Sequence, residues 1–242
     1  MSSLTIYMRA AMLRFPSDMS TDRGVLVHSI ETPVHGRILM RAAQGASTLG
    51  ILVGYHGYAE SADLHLERLA GIPGTEAWVV LSVQALNRFY RSRTDETVAS
   101  WMTRQDRELA IAANVIYANR AIERARREFG PGSDPPVVHA GFSQGGAMAF
   151  RAAVLGGGTA AGVISVGADV PPELLADPSA RFPPVLLARG VGDEWYTASK
   201  FDADVAALAA RAVKVTPRVF KGGHEWTPEI AAHAAAFLAA LH

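Results

Sequence analysis

The chain contains no cysteine. Disulfides, thiol nucleophiles and cysteine-ligated metals are therefore excluded, and the composition suits a reducing compartment, so a cytoplasmic protein is expected. No apolar run approaches the roughly 20 residues of a membrane-spanning helix. The first residues, Met1 to Arg9, lack a basic stretch followed by an unbroken apolar core, so a signal peptide is not expected. Neither sign of charge dominates: 23 Lys and Arg stand against 23 Asp and Glu. That balance gives no reason to expect nucleic acid or an anionic membrane as a partner. There is no H-E-x-x-H and no cluster of acids, so neither a metal nor a cofactor is expected.

What the chain has in quantity is apolar residues, 49% of 242, enough for a sizeable core. Residues 1–24 are mixed and broken by Pro16. They read as a loose N-terminal extension, and an arm that packs over the site or on the partner of a homodimer stays open as the alternative. Val25 to Ile30 and Val34 to Met40 flank Pro33 and predict an antiparallel pair. From Leu49 onward, buried-type strands alternate with helical stretches. Strands are expected at 49–55, 77–83, 137–142, 161–166, 184–190 and 213–220. Helices are expected at 61–69, 104–129, 197–212 and 228–241, with at most a short one at 171–176. No linker or composition shift divides residues 25–242. The expected fold class is α/β: one domain with a mostly parallel central sheet of about eight strands and helices on both faces.

The organising stretch is Val137 to Ala149. An apolar strand runs into Gly141-Phe142-Ser143-Gln144-Gly145, and an Ala/Met-rich helical segment follows. G-x-S-x-G between a strand and a helix is the nucleophile elbow, which holds the serine on a sharp turn with its hydroxyl exposed. The pentapeptide alone occurs by chance in roughly one chain in ten of this length, so its partners must decide.

In an open α/β sheet the chemistry sits past the carboxyl ends of the strands. His56-Gly57-Tyr58 follows the 49–55 strand, Asp193-Glu194-Trp195 follows the 184–190 strand, and Gly223-His224-Glu225 follows the 213–220 strand. The chain order Ser143, Asp193, His224 is the order this chemistry uses on such a sheet. His224 would take and return the Ser143 proton. Asp193 would hold the imidazole tautomer, with Glu194 as its rival. The backbone N–H groups of Tyr58 and Gln144 would bind the oxyanion. His56 is expected to shape the oxyanion turn. His28, His35, His65, His139 and His233 are read as ordinary surface or core residues.

These residues resemble the α/β-hydrolases, and within them the serine carboxylesterase, lysophospholipase and acyl-protein thioesterase branch. The similarity lies in Gly141 to Gly146, His56-Gly57, Gly190-Val191-Gly192-Asp193 and Gly223-His224-Glu225, in order over residues 34–240. It implies ester or thioester hydrolysis through a covalent acyl-enzyme, with a small acyl ester as substrate and lysophospholipids within the same range. The segment 84–104 and the first two dozen residues do not follow the family pattern.

That segment is long and aromatic. Together with Tyr58, Trp195 and Trp226, its Phe89, Tyr90 and Trp101 are candidates for an acyl pocket; core packing explains any one tryptophan equally well. Arg88, Arg91, Arg93, Arg104 and Arg107 lie among Asp95, Glu96, Asp106 and Glu108 and read as a solvated ion-pair network, with an anionic leaving group as the alternative target. Two other functions remain open beside the esterase: a binding or scaffold protein that kept the fold and lost turnover, and a small peptidase.

Overall fold

The computed structural model describes residues 26–45, 48–92, 94–129 and 134–241. The extension at 1–24 and Arg93 lie outside these residues.

Seven strands form the main sheet: β1 (Ile38–Arg41), β2 (Gly50–Tyr55), β3 (Trp78–Val83), β6 (Val137–Phe142), β7 (Ala160–Val166), β8 (Val185–Gly190) and β9 (Val215–Phe220). Their order across the sheet is β1-β3-β2-β6-β7-β8-β9. All neighbours are parallel except β1, which runs antiparallel to β3. β4 (Asn87–Tyr90) and β5 (Thr97–Ser100) form a separate hairpin within the 84–104 segment. The helices are α1 (Ala62–Ala70), α2 (Arg107–Phe129), α3 (Gln144–Leu155), α4 (Pro172–Ala176), α5 (Ala198–Ala210) and α6 (Pro228–Ala239).

One expectation is corrected. Among the described residues the main sheet has seven strands, close to the expected eight or so, and residues 26–30 contribute none of them. Residues 26–37 carry no strand, and the antiparallel partner of β1 is β3, whose Val83 stands opposite Ile38. β-propensity forms a strand only where an edge is offered, and β3 offers its edge to one segment.

The central strands β2, β3, β6 and β8 are buried along their length and mostly apolar because both faces of the sheet are covered. Along β2 the alternation divides the core in two. Ile51, Val53 and Tyr55 face α2, α3 and α5, packing with Ile111, Met148, Phe150 and Leu208. Leu52 faces the other layer, where Leu69 of α1 and Ile230, Ala234 and Phe237 of α6 cover it. The outer strand β9 is largely exposed and contains Pro217, a residue tolerated at an edge because no neighbour needs its missing N–H. Ser61 caps α1, accepting from Leu64 N at 3.3 Å, and Thr227 caps α6 in the same way. Among the described residues, no helix is long and apolar enough to cross a membrane.

Candidate active site

Four loops leave the carboxyl ends of β2, β6, β8 and β9 on one rim of the sheet. The sharpest is at β6. Ser143 has φ 53° and ψ −125°, a conformation that costs a non-glycine residue about 1–3 kcal/mol. The turn is possible because its flanks lack side chains. A Cβ on Gly141 would run into the carbonyl of Gly145, and one on Gly145 into the carbonyl of Tyr55. Ser143 N donates to Val166 O at 2.8 Å, which fastens the turn to the end of β7. Helix α3 begins at Gln144, directly after the serine, so its first-turn N–H groups lie at the elbow, where Gly146 N turns back to Ser143 O at 2.9 Å.

The loops after β8 and β9 are sewn together. Val191 N donates to Phe220 O at 2.9 Å and Gly192 N to Gly222 O at 2.8 Å. This contact sets Asp193 Oδ2 2.9 Å from His224 Nδ1, and His224 Nε2 lies 2.8 Å from Ser143 Oγ. A carboxylate can only accept, so Nδ1 carries the imidazole proton and Nε2 accepts from the serine hydroxyl. The other carboxylate oxygen of Asp193 accepts from Trp195 N at 2.9 Å and Tyr196 N at 2.8 Å. Asp193 is buried while Glu194 is exposed. The hydrogen bond to His224 is made by Asp193.

Gly167, just past β7, escaped the sequence reading. It has φ +64°, and a Cβ there would lie 3.0 Å from His224 Cε1 and 3.3 Å from Asp193 Oδ2. A glycine directly after a buried strand, on the rim that bears the chemistry, was the available signal.

The turn after β2 is held from three sides. Glu60 Oε2 accepts from Gly57 N at 2.7 Å, and both its oxygens are gripped by Arg68 at 2.7 and 2.8 Å. The Arg68 guanidinium lies over the Phe142 ring, whose centroid is 4.9 Å from that of His224. His56 stands below. Ala85 N donates to its Nε2 at 3.1 Å, so the ring proton is on Nδ1 and donates to Gly57 O at 2.7 Å. Burial lowers the His56 pKa from its ordinary value, which keeps the ring in this neutral tautomer.

No protein-family model matches the chain, and no curated protein matches it. Solved structures do match. The chain is similar to esterase PE8, with a TM-score of 0.69 at 20% identity, over 86% of this chain and 100% of that one. It is similar to a carboxylesterase of Bacillus cereus, with a TM-score of 0.67 at 18% identity, over 86% of this chain and 95% of that one. A third is acyl-protein thioesterase 2 of Zea mays, with a TM-score of 0.67 at 18% identity, over 86% and 99% of the two chains. The fold is that of the α/β-hydrolases.

On this α/β-hydrolase scaffold the expected pocket residues part company. Tyr58 and Phe89 come together, ring centroids 5.7 Å apart. Tyr90 on the same hairpin and Trp195 beside the acid are largely exposed. Trp226 turns inward and meets His65 edge-on. Trp101 has no exposed surface. The expectation that it walls an acyl pocket does not fit this burial, because its indole stands behind the β2 turn, donating to His56 O at 2.8 Å. Of the arginines, Arg91 pairs with Glu96 at 3.1 Å, and Arg88 donates to the backbone carbonyl of His35 at 2.7 Å. Among the described residues, no three His, Asp or Glu side chains gather into a metal-sized cluster.

Proposed function

We propose that the protein is a serine hydrolase that cleaves carboxylic esters, of short to medium acyl length, through an acyl-enzyme on Ser143. The observation that carries this reading is the unbroken relay from Ser143 Oγ through His224 to the buried Asp193, set on a strained elbow at the mouth of a helix. The serine attacks the ester carbonyl and its proton passes to His224 Nε2. The resulting oxyanion lies against the N–H groups of Gln144 and Tyr58, each such donor being worth a few kcal/mol. The tetrahedral intermediate collapses, and the departing alcohol takes the proton from His224. Water then repeats the sequence, giving its proton to the imidazole and releasing the acid. Asp193 holds the tautomer throughout and stabilises the imidazolium.

The relay needs only an acyl group with a leaving group, and the similar structures include an esterase and an acyl-protein thioesterase. Thioesters therefore belong in the first screen. The test is labelling of the native chain by a fluorophosphonate together with turnover of p-nitrophenyl esters by chain length, beside acyl-CoA and lysophospholipid. Ser143→Ala is expected to abolish labelling and to lower turnover by several orders of magnitude without loss of fold. A variant that keeps a tenth of the activity excludes Ser143 as nucleophile.

A further inference from the structure

The two backbone donors of the proposed oxyanion site stand on different strands: Tyr58 follows β2 and Gln144 follows β6. One short segment, Ala99 to Met102, is bonded to the turn that carries Tyr58, at His56, Ala59 and Glu60, and to Gln144 itself. Ala59 N donates to Ala99 O at 3.1 Å, and Ala99 N to Glu60 O at 3.0 Å. Trp101 then reaches in two directions. Its indole N–H donates to His56 O at 2.8 Å, and its backbone N–H donates to Gln144 Oε1 at 2.9 Å. The Gln144 amide nitrogen returns to the same segment, donating to Met102 O at 3.1 Å. Behind it, the buried Asn114 of α2 donates Nδ2 to Trp101 O at 2.8 Å. The ring of Trp101 is wedged between Tyr55 and His56, with centroids at 5.4 and 5.2 Å.

We propose that Trp101 and the carboxamide of Gln144 form a brace that sets the distance between the Tyr58 and Gln144 N–H groups, making Trp101 a positioning residue of the oxyanion site. This rests on the hydrolase reading above. Filling the space behind the turn needs only an aromatic ring. What makes a brace is the use of the polar atoms: the indole N–H takes the carbonyl just before Gly57, and the residue after the nucleophile bends its side chain back to the same tryptophan. Oxyanion donors act only when aimed at where charge develops, and a misplacement of about 1 Å costs on the order of 10²-fold in rate. Loosening the brace therefore weakens binding of the transition state while leaving ground-state binding alone.

Two variants separate this from a packing role. Trp101→Phe keeps a ring and loses the indole N–H. Gln144→Met keeps side-chain length and the backbone donor, and loses the amide. Each is compared with the native chain for kcat and KM on p-nitrophenyl butyrate, inhibition by an alkyl boronic acid that forms a tetrahedral serine adduct, and thermal midpoint. The expected result is a kcat lowered about 10- to 100-fold with KM within twofold, boronate affinity lowered in parallel, and an unchanged pH profile. The double variant should fall little below the worse single one, since both cut one brace. A kcat equal to the native chain's in both variants overturns the proposal, as does a kcat loss matched by a rise in KM. Should Trp101→Phe fail to fold, Gln144→Met decides alone. A native chain that neither labels nor turns over any ester overturns the hydrolase itself and the brace with it, an outcome distinct from an active enzyme indifferent to both substitutions.

Discussion

The hydroxyl of Tyr196 donates to Oδ2 of the buried Asp204 at 2.9 Å. The same carboxylate oxygen accepts from Val170 N at 2.9 Å, and the backbone N–H of Tyr196 supports Asp193. Asp204 thus anchors from α5 the loop that carries the acid. Asp204→Ala deprives two buried donors of their acceptor and should lower stability by about 2–4 kcal/mol in urea unfolding, while Tyr196→Phe should cost about 1 kcal/mol. Equal losses in the two variants would show that the shared acceptor adds nothing beyond the tyrosine bond.

The hydrogen-bond pattern divides the neighbouring acids sharply. Asp193→Asn should lower kcat by on the order of 10⁴, because an amide favours the wrong imidazole tautomer. Glu194→Gln should leave kcat within twofold. Steady-state kinetics on one ester decides between them.

Burial holds His65 and His139 at a pKa of about 3, well below the ordinary 6.5, with nearby Arg68 and Arg126 adding to the effect. His56 is lowered for the same primary reason. The folded state therefore refuses protons that the unfolded chain accepts as pH falls through 6.5. Stability from these groups is fully present above pH 6.5 and is lost progressively toward pH 3, by up to about 1.4 kcal/mol per pH unit for each fully excluded proton. Urea midpoints between pH 7 and 4.5 should decline accordingly, and His65→Phe should reduce the slope by up to one proton. A slope unchanged by that substitution counts against a buried neutral His65.

The Glu60–Arg68 pair ties the β2 turn to α1 with little solvent around it. Arg68→Met leaves the carboxylate without its cation and should destabilise by about 3 kcal/mol. Adding Glu60→Gln to that variant should recover part of the loss, since the unpaired charge is then gone. Chemical denaturation of the single and double variants reads this directly.

Phe89 packs against Tyr58, whose N–H is a proposed oxyanion donor, and this pair is the surface we expect an acyl chain to touch. Phe89→Ala should change the ratio of kcat/KM between butyrate and octanoate esters by about tenfold, equivalent to about 1.4 kcal/mol of differential binding. An unchanged ratio, with only a lower midpoint, would assign the pair to hairpin packing.

Much of this was legible in the sequence because the signals are local. The glycines around Ser143, the buried-strand runs and the polar residues just past them fix which groups share a rim. They bring Ser143 and His224 to one rim together with Asp193 and its rival Glu194, and only the hydrogen bond from His224 to Asp193 separates the two carboxylates. The hairpin β4–β5 was illegible because Asn87 to Tyr90 is mostly exposed and sets its two polar residues before its two aromatics, so it carries no alternating pattern. Val25 to Ile30 misled for the opposite reason: it has β-rich composition but no edge to join. Trp101 misled because size and aromaticity are the same in a pocket wall and in a buried brace; only the partner of the indole N–H separates them. Gly167 and the Glu60–Arg68 grip depend on distances across the fold that spacing along the chain does not encode.

Among the described residues, the connections that enter the parallel strands lie on the rim opposite Ser143. Residues 156–159, between α3 and β7, are a case in point: the elbow touches β7 at Val166, and six strand steps at about 3.3 Å separate that end from Ala160, roughly 20 Å. A fluorophore, an affinity handle or a surface tether spliced at 156–159 would therefore leave the face that carries Ser143 outward and unobstructed. The same polarity of the sheet that gathers the chemistry on one side makes the other side a place to hold the molecule by.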